Sequence, residues 1–160
     1  MPAVLATYPA PAGGAKPLVW TWWPQAIETT VRVSPHLSTQ DAAVVALGVL
    51  STLDAESGGR VDAVGDAGHS IGLFQMHDQG AGYGLSVAQR QDPAVQFKHA
   101  EKIVKSMEAA LYWSRVQGTP FTPSTVALAA KQIQRCADGF EVGYARAWTR
   151  LQSEAGWTVL

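Results

Sequence analysis

Glu56-Ser57-Gly58-Gly59 and, a short way on, Gly68-His69-Ser70-Ile71-Gly72-Leu73-Phe74-Gln75-Met76 decide how this chain is read. The first stretch closes a helix. Ser38-Thr39-Gln40-Asp41 fits a capping box, a hydroxyl at the cap and an acid three residues later. Ala42, Ala46, Val49, Leu53 and Glu56 then follow at spacings of four, three, four and three, and share one helix face. Glu56 is therefore in line with an apolar stripe, and Gly58 and Gly59 supply the left-handed turn that ends the helix. A carboxyl desolvated by apolar neighbours has its neutral form favoured and its pKa raised, as a proton donor working near neutral pH requires. The alternative is a glutamate that ends its helix and reaches into water. Asp54, about 200° round the helix at 100° per residue, is expected to be solvated.

The chain has 160 residues and 47% hydrophobic content, which suits one compact domain with a substantial core. A net charge of −1 provides no basic field for nucleic acid or an anionic membrane, so any attraction to an acidic partner must be local. Cys136 is the single cysteine, which excludes an internal disulfide framework and agrees with folding in a reducing cytoplasm. The longest apolar run, Ala42 to Leu50, is too short to span a bilayer. Residues 1–17, rich in Ala, Pro and Gly, read as a flexible arm, without the charged n-region of a secretory signal. Residues 18–160 read as the folded domain. Trp20, Trp22 and Trp23 open it, either to pin this segment onto the core or to stack on sugar rings or a partner.

From Gly59 to Gly84, Gly, Asp, His and Gln dominate without helical periodicity, so a loop with a short β-hairpin is expected there as one wall of a cleft. Asp92-Pro93 starts a second helix, with Phe97, Ala100, Val104, Met107 and Leu111 as its core face. A break at Gly118–Pro123 leads to an Ala-rich helix from Ser124 to Gln134. Gly139 marks another break, after which Phe140, Tyr144, Ala147, Trp148 and Leu151 are expected to line one side of a last helix. The fold class is mainly α, with a loop-rich insertion after the helix that carries Glu56.

Glu56-Ser57-Gly58-Gly59 with Gly72-Leu73-Phe74-Gln75-Met76 downstream resembles the lysozyme-like superfamily, in particular its lytic transglycosylase and goose-type lysozyme branch with its phage-encoded members. The resemblance covers about Leu37 to Leu151, and Asp92-Pro93 resembles that family's third segment. Gln132-Ile133-Gln134-Arg135, with Tyr144 nearby, looks like the Gln-Arg pattern of phage wall-degrading members and departs from the Ala-Tyr-Asn-Ala-Gly form of the bacterial enzymes.

The resemblance implies a lysozyme-like domain that cleaves the β-1,4 bond between N-acetylmuramic acid and N-acetylglucosamine, as a muramidase or a lytic transglycosylase. Glu56 becomes the catalytic acid, and Ser57 supports the fold beside it and is counted in the substrate-binding set. Ser70 and Gln75 hold a sugar or the reacting acetamido group, Phe74 packs beneath the site or lines it, and Gln134 joins the substrate-binding set. Tyr144 contacts Glu56 or the substrate, or is a core tyrosine. Asp62, Asp66 and Asp78 fall in the loop where a water-orienting second acid is sought, although each also suits a turn. Asp66, beside the Gly-His-Ser segment, is the candidate.

No cofactor is expected, and none of His36, His69, His77 and His99 shows a recognised metal-ligand spacing. Cys136 follows every histidine and reads as an inert helix-end cysteine, and Gly80-Ala81-Gly82-Tyr83-Gly84 lacks the context of a phosphate loop. The expected partners are peptidoglycan glycan strands, with other virion proteins as a further possibility, for a monomer made in a host cytoplasm and acting on the wall as an endolysin or virion-associated lysin. No nucleic acid or membrane insertion is expected. The competing class is a non-catalytic wall-binding or phage tail structural module on the same fold.

Overall fold

The computed structural model describes residues 18–157; the arm expected at residues 1–17 lies outside the described residues. After a 3-10 turn at Leu18–Trp22 come α1 (Trp23–Val33) and α2 (Thr39–Ser57), then three short strands, β1 (Val64–Gly65), β2 (Ser70–Ile71) and β3 (Met76–His77). Helices α3 (Val87–Gln91), α4 (Pro93–Val116), α5 (Pro123–Gln134) and α6 (Val142–Ala155) complete the mainly α architecture. No helix among the described residues is long and apolar enough to cross a membrane.

Helix α2 is the axis of the molecule. Ser38 caps it by accepting the Asp41 N–H at 3.1 Å, but the reciprocal half of the expected capping box does not form. The Asp41 carboxylate instead takes both ends of the Arg115 guanidinium in the last turn of α4. From Asp41 to Leu53 every residue is buried, so the expected single stripe is in fact a helix enclosed on all sides. Small residues permit this: at Gly48, an added Cβ would lie 2.8 Å from the Met107 sulfur of α4. The polar residues of the enclosed stretch satisfy themselves, with Ser51 and Thr52 hydroxyls donating to the Leu47 and Gly48 carbonyls at 2.7 and 2.9 Å. Helices α1, α4 and α6 pack around this axis. Asp54, expected to be solvated, is only 15% exposed and pairs with Arg150 of α6.

Helix α1, like the short α3, is an element that sequence reasoning does not anticipate. Its Thr29-Thr30-Val31 run is poor in helix propensity, and burial of Trp23, Ala26, Ile27 and Thr30 against α2 overrides it. Trp20 and Trp23 are buried and meet edge to face at 5.8 Å. Trp22 Nε1 donates to the Gly59 carbonyl at 2.8 Å. The tryptophans thus pin the start of the domain onto the end of α2.

The hairpin expected after Gly59 is present as a small antiparallel sheet of order β1-β2-β3, with Val64 opposite Ile71 and Ser70 opposite His77. Such short strands need an external anchor, and Gln96 of α4 is that anchor. Fully buried, it accepts the Phe74 N–H at 2.8 Å and donates to the Ile71 carbonyl at 3.0 Å and to that of Arg90. The chain passes so close that a Cβ at Gly72 (φ +88°) would lie 2.1 Å from Gln96 Nε2.

The α4 start at Asp92-Pro93, its five core residues and the extent of α5 are as expected. Phe140 is not: it precedes α6 in a turn and is 74% exposed. Gln96→Leu preserves volume but strands the Phe74 N–H and two carbonyls, and each buried unsatisfied group costs about 1–3 kcal/mol. The variant should lose about 3 kcal/mol or more in urea denaturation; a loss below about 1 kcal/mol would mean the loop is held by something else.

Candidate active site

Gly58, in the left-handed conformation (φ +64°, ψ 18°), stops α2 one turn after its enclosed stretch. That places Glu56, half-buried, on the wall of a cleft of about 870 Å³. The α5–α6 connection forms the facing side and the β-sheet loop the flank. Two smaller hollows, about 550 Å³ beside α6 and about 390 Å³ between α1 and α4, do not reach Glu56.

Two donors converge on one oxygen of this acid. The Tyr144 hydroxyl donates to Glu56 Oε1, and Gln134 Nε2 donates to the same atom at 3.1 Å. Gln134 is itself held: Nε2 also donates to the Phe74 carbonyl at 2.9 Å, and Oε1 lies 2.8 Å from His99 Nε2. Burial holds His99 below the ordinary imidazole value, so the ring is neutral near pH 7 and its Nε2–H donates to that amide oxygen. This leaves the Gln134 nitrogen directed at Glu56.

Burial raises the Glu56 pKa above its ordinary value, the hydrogen bonds from Tyr144 and Gln134 oppose that rise, and the nearby Asp66 charge adds to it. Burial and the adjacent Glu56 charge push the Tyr144 phenol far up, so it stays protonated as a donor. The result is an acid that favours its proton while two donors stand ready for the anion left when the proton goes.

Asp66 and Ser70 both line the cleft, and the Ser70 hydroxyl donates to Asp66 Oδ2 at 2.5 Å. Of the three loop aspartates, Asp66 alone reaches the cleft: Asp62 does not line it, and Asp78 is engaged with His69. Gln75 also lines it, but its amide nitrogen is used on the loop itself, donating to the Ala63 and Gly72 carbonyls at 3.1 and 3.0 Å. Phe74 reaches the site through its carbonyl, while its ring is buried edge to face on Phe97.

Ser57 does not line the cleft. Its hydroxyl donates to the Leu53 carbonyl and accepts the Gly59 N–H, closing the helix end at 3.1 and 3.2 Å. Cys136 is a free thiol that lines the cleft beside Tyr144.

Residues for which the sequence suggested no site role complete the site. Lys102 and Arg135 bring positive charge to the cleft, and the exposed Phe140 lines it. Gln96 and His99 work from behind, and Gln96 carried a signal: it precedes Ala100, Ile103 and Met107 at spacings of four, three and four, a polar residue in line with a core face. Asp66, Gln75 and Arg135 are held at φ +49°, +48° and +53°. Side chains seldom adopt this region, and such residues concentrate at functional sites. Comparison of the chain with protein-family models, curated proteins and solved structures returned no match.

Carboxyl-resolved NMR should find Glu56 titrating above 4.5, and Tyr144→Phe should move that titration higher by removing a donor to the anion. The same shift predicts a stability difference. The folded chain keeps this proton at pH values where the unfolded chain has released it, so the contribution is complete below the unfolded value and lost as pH rises through the folded one. Glu56→Gln escapes that loss. Its Tm should gain on the wild type as pH rises above the ordinary carboxyl value, whereas a constant difference would contradict the desolvated carboxyl.

Proposed function

We propose that this chain is a peptidoglycan glycosidase that cleaves the β-1,4 bond between N-acetylmuramic acid and N-acetylglucosamine on a lysozyme-like fold. The observation that carries the reading is the pair of donors on Glu56 Oε1 in an acid whose burial favours the proton. With both donors on Oε1, Oε2 carries the proton. It passes to the glycosidic oxygen as the bond to the anomeric carbon breaks, and the electron pair leaves with that oxygen. The carboxylate so formed is held by Tyr144 and Gln134 and can then take a proton from the incoming nucleophile. That nucleophile is either water, which gives a reducing muramic acid end, or the sugar's own 6-hydroxyl, which gives a 1,6-anhydro end.

The remaining side chains fit the same substrate. Asp66, with Ser70 bonded to one oxygen, supplies negative charge in the cleft for the oxocarbenium-like transition state or a site to orient water. Phe140 offers an exposed ring to the apolar face of a sugar. Lys102 and Arg135 give the local attraction for stem-peptide carboxylates that a net charge of −1 cannot supply. A phage endolysin or virion-associated lysin is the setting that accords with the Gln132–Arg135 segment and its likeness to phage wall-degrading proteins.

Mass spectrometry of fragments released from purified peptidoglycan tests this directly. The wild type should release muropeptides, and a folded Glu56→Gln variant should lose at least about a hundredfold in rate, the lower end of what a positioned general acid contributes. Retained turnover in that variant would refute Glu56 as the acid. Reducible ends that disappear in Asp66→Asn would identify hydrolysis with Asp66 assisting, and anhydro ends that persist would identify Glu56 acting alone. Absence of fragments from several wall types would favour a wall-binding or tail structural module.

A further inference from the structure

Beside the cleft, the register of the β2–β3 hairpin gathers three potential ligands. Asp78 N–H donates to the His69 carbonyl at 3.0 Å, and Ser70 faces His77, so His69, His77 and Asp78 are near neighbours across the hairpin. The two imidazoles stack at 5.5 Å with planes 16° apart. His69 Nδ1 lies 2.8 Å from Asp78 Oδ2 and His77 Nδ1 lies 3.3 Å from Asp78 Oδ1. One ligand atom from each of the three residues can be chosen so that all lie within 4.8 Å of one another. An edge of a tetrahedron with metal–ligand bonds of about 2.0–2.1 Å is about 3.3–3.4 Å long.

The hydrogen bonding leaves one oxygen of this cluster without a partner. The Gln79 N–H donates to His77 Nδ1 at 3.1 Å, so that nitrogen is the unprotonated one of its ring, and a cation bound there replaces this single backbone contact. Asp78 Oδ1, the oxygen facing it, is shielded from solvent and accepts no hydrogen bond. Two acceptors therefore face each other. Behind them the buried Arg90 fixes both strands, its Nη1 donating to the His69 carbonyl at 2.6 Å and to the Met76 carbonyl at 3.2 Å. The ligand-bearing backbone is held in place without a metal.

We propose that His69, His77 and Asp78 bind one divalent cation of the Zn²⁺ type. Two imidazoles and a carboxylate suit a borderline metal better than the all-oxygen sites of Ca²⁺ or Mg²⁺. Three protein ligands leave a fourth position for water, and His77 places this position at the cleft margin. The ion clamps the hairpin that carries Ser70 and flanks Asp66. The site is independent of the glycosidase reading, because none of its ligands is a group to which catalysis is assigned.

Isothermal titration of the purified full-length chain with Zn²⁺, after treatment with a chelator, tests the proposal. One equivalent should bind, and affinity should fall at least about tenfold in His69→Ala and in His77→Ala, since loss of even an outer-shell partner costs that much. His36→Ala, which removes an exposed histidine paired with Glu108 elsewhere on the surface, should bind like the wild type. Co²⁺ loaded into the unmodified protein gives a reading that needs no variant: intense visible bands of a four-coordinate ion are expected. Weak six-coordinate bands, no saturable binding, or wild-type affinity in the His69 or His77 variant would each overturn the site.

Discussion

Enclosure of helix α2 is the constraint on which the rest depends. Its residues from Asp41 to Leu53 are buried on all sides, so every neighbouring helix is placed by contact with it. A helix of this kind cannot tolerate an ionised group along its length, and the first residues able to be polar at modest cost are those where the enclosure ends. Asp41 and Asp54 stand at the two limits and each is neutralised by an arginine from a neighbouring helix. Glu56 lies one step further, beyond those two arginines, and its carboxyl is hydrogen-bonded by the neutral donors Tyr144 and Gln134. Its raised pKa follows from that position: burial removes water, and among the described residues no cation forms an ion pair with it.

The donors on Glu56 are fixed by a second layer. Gln134 ends α5, where the chain turns at Arg135, and its amide is oriented by His99 of α4 on one side and the Phe74 carbonyl on the other. Phe74 is in turn held by Gln96, also on α4. Helix α4 thus controls both walls of the cleft, through one side chain directed at the loop and another directed at α5. Both reach their partners from the buried or half-buried side, where competing water is scarce and each hydrogen bond is correspondingly directional. Tyr144 arrives independently from α6. Three helices and a loop therefore agree on the position of one oxygen atom.

The loop itself contains almost no regular structure, yet it is heavily determined. Its paired strands have two residues each, and its stability comes from Gln96 and Arg90 reaching into it from the helical layer. Holding the backbone from outside permits left-handed residues at Asp66, Ala67 and Gln75, a strain that a self-supporting hairpin would relax. It also holds His69, His77 and Asp78 in a fixed relation beside the cleft.

Local rules determined much of this protein. Ser38 and Asp92-Pro93 fixed helix starts, Gly58 fixed a helix end, and the four–three spacing that leads to Glu56 marked an acid in apolar surroundings, because capping and periodicity act within a few residues. Partners distant in sequence were decided by tertiary structure alone. Whether Asp54 met water or Arg150, whether Phe140 was core or cleft rim, and whether Ser57 faced substrate or its own helix all depended on where α6 and the loop came to rest. The polar residues on α4 were visible as irregularities in a core face, but their targets were not. The same limit applied to His69 and His77: their spacing matches no ligand pattern, and only hairpin register brings the two rings together. Sequence fixes which groups prefer burial or a helix end, through short-range sterics and hydration. The pairing of those groups is set by the packing of whole elements, which no local spacing encodes.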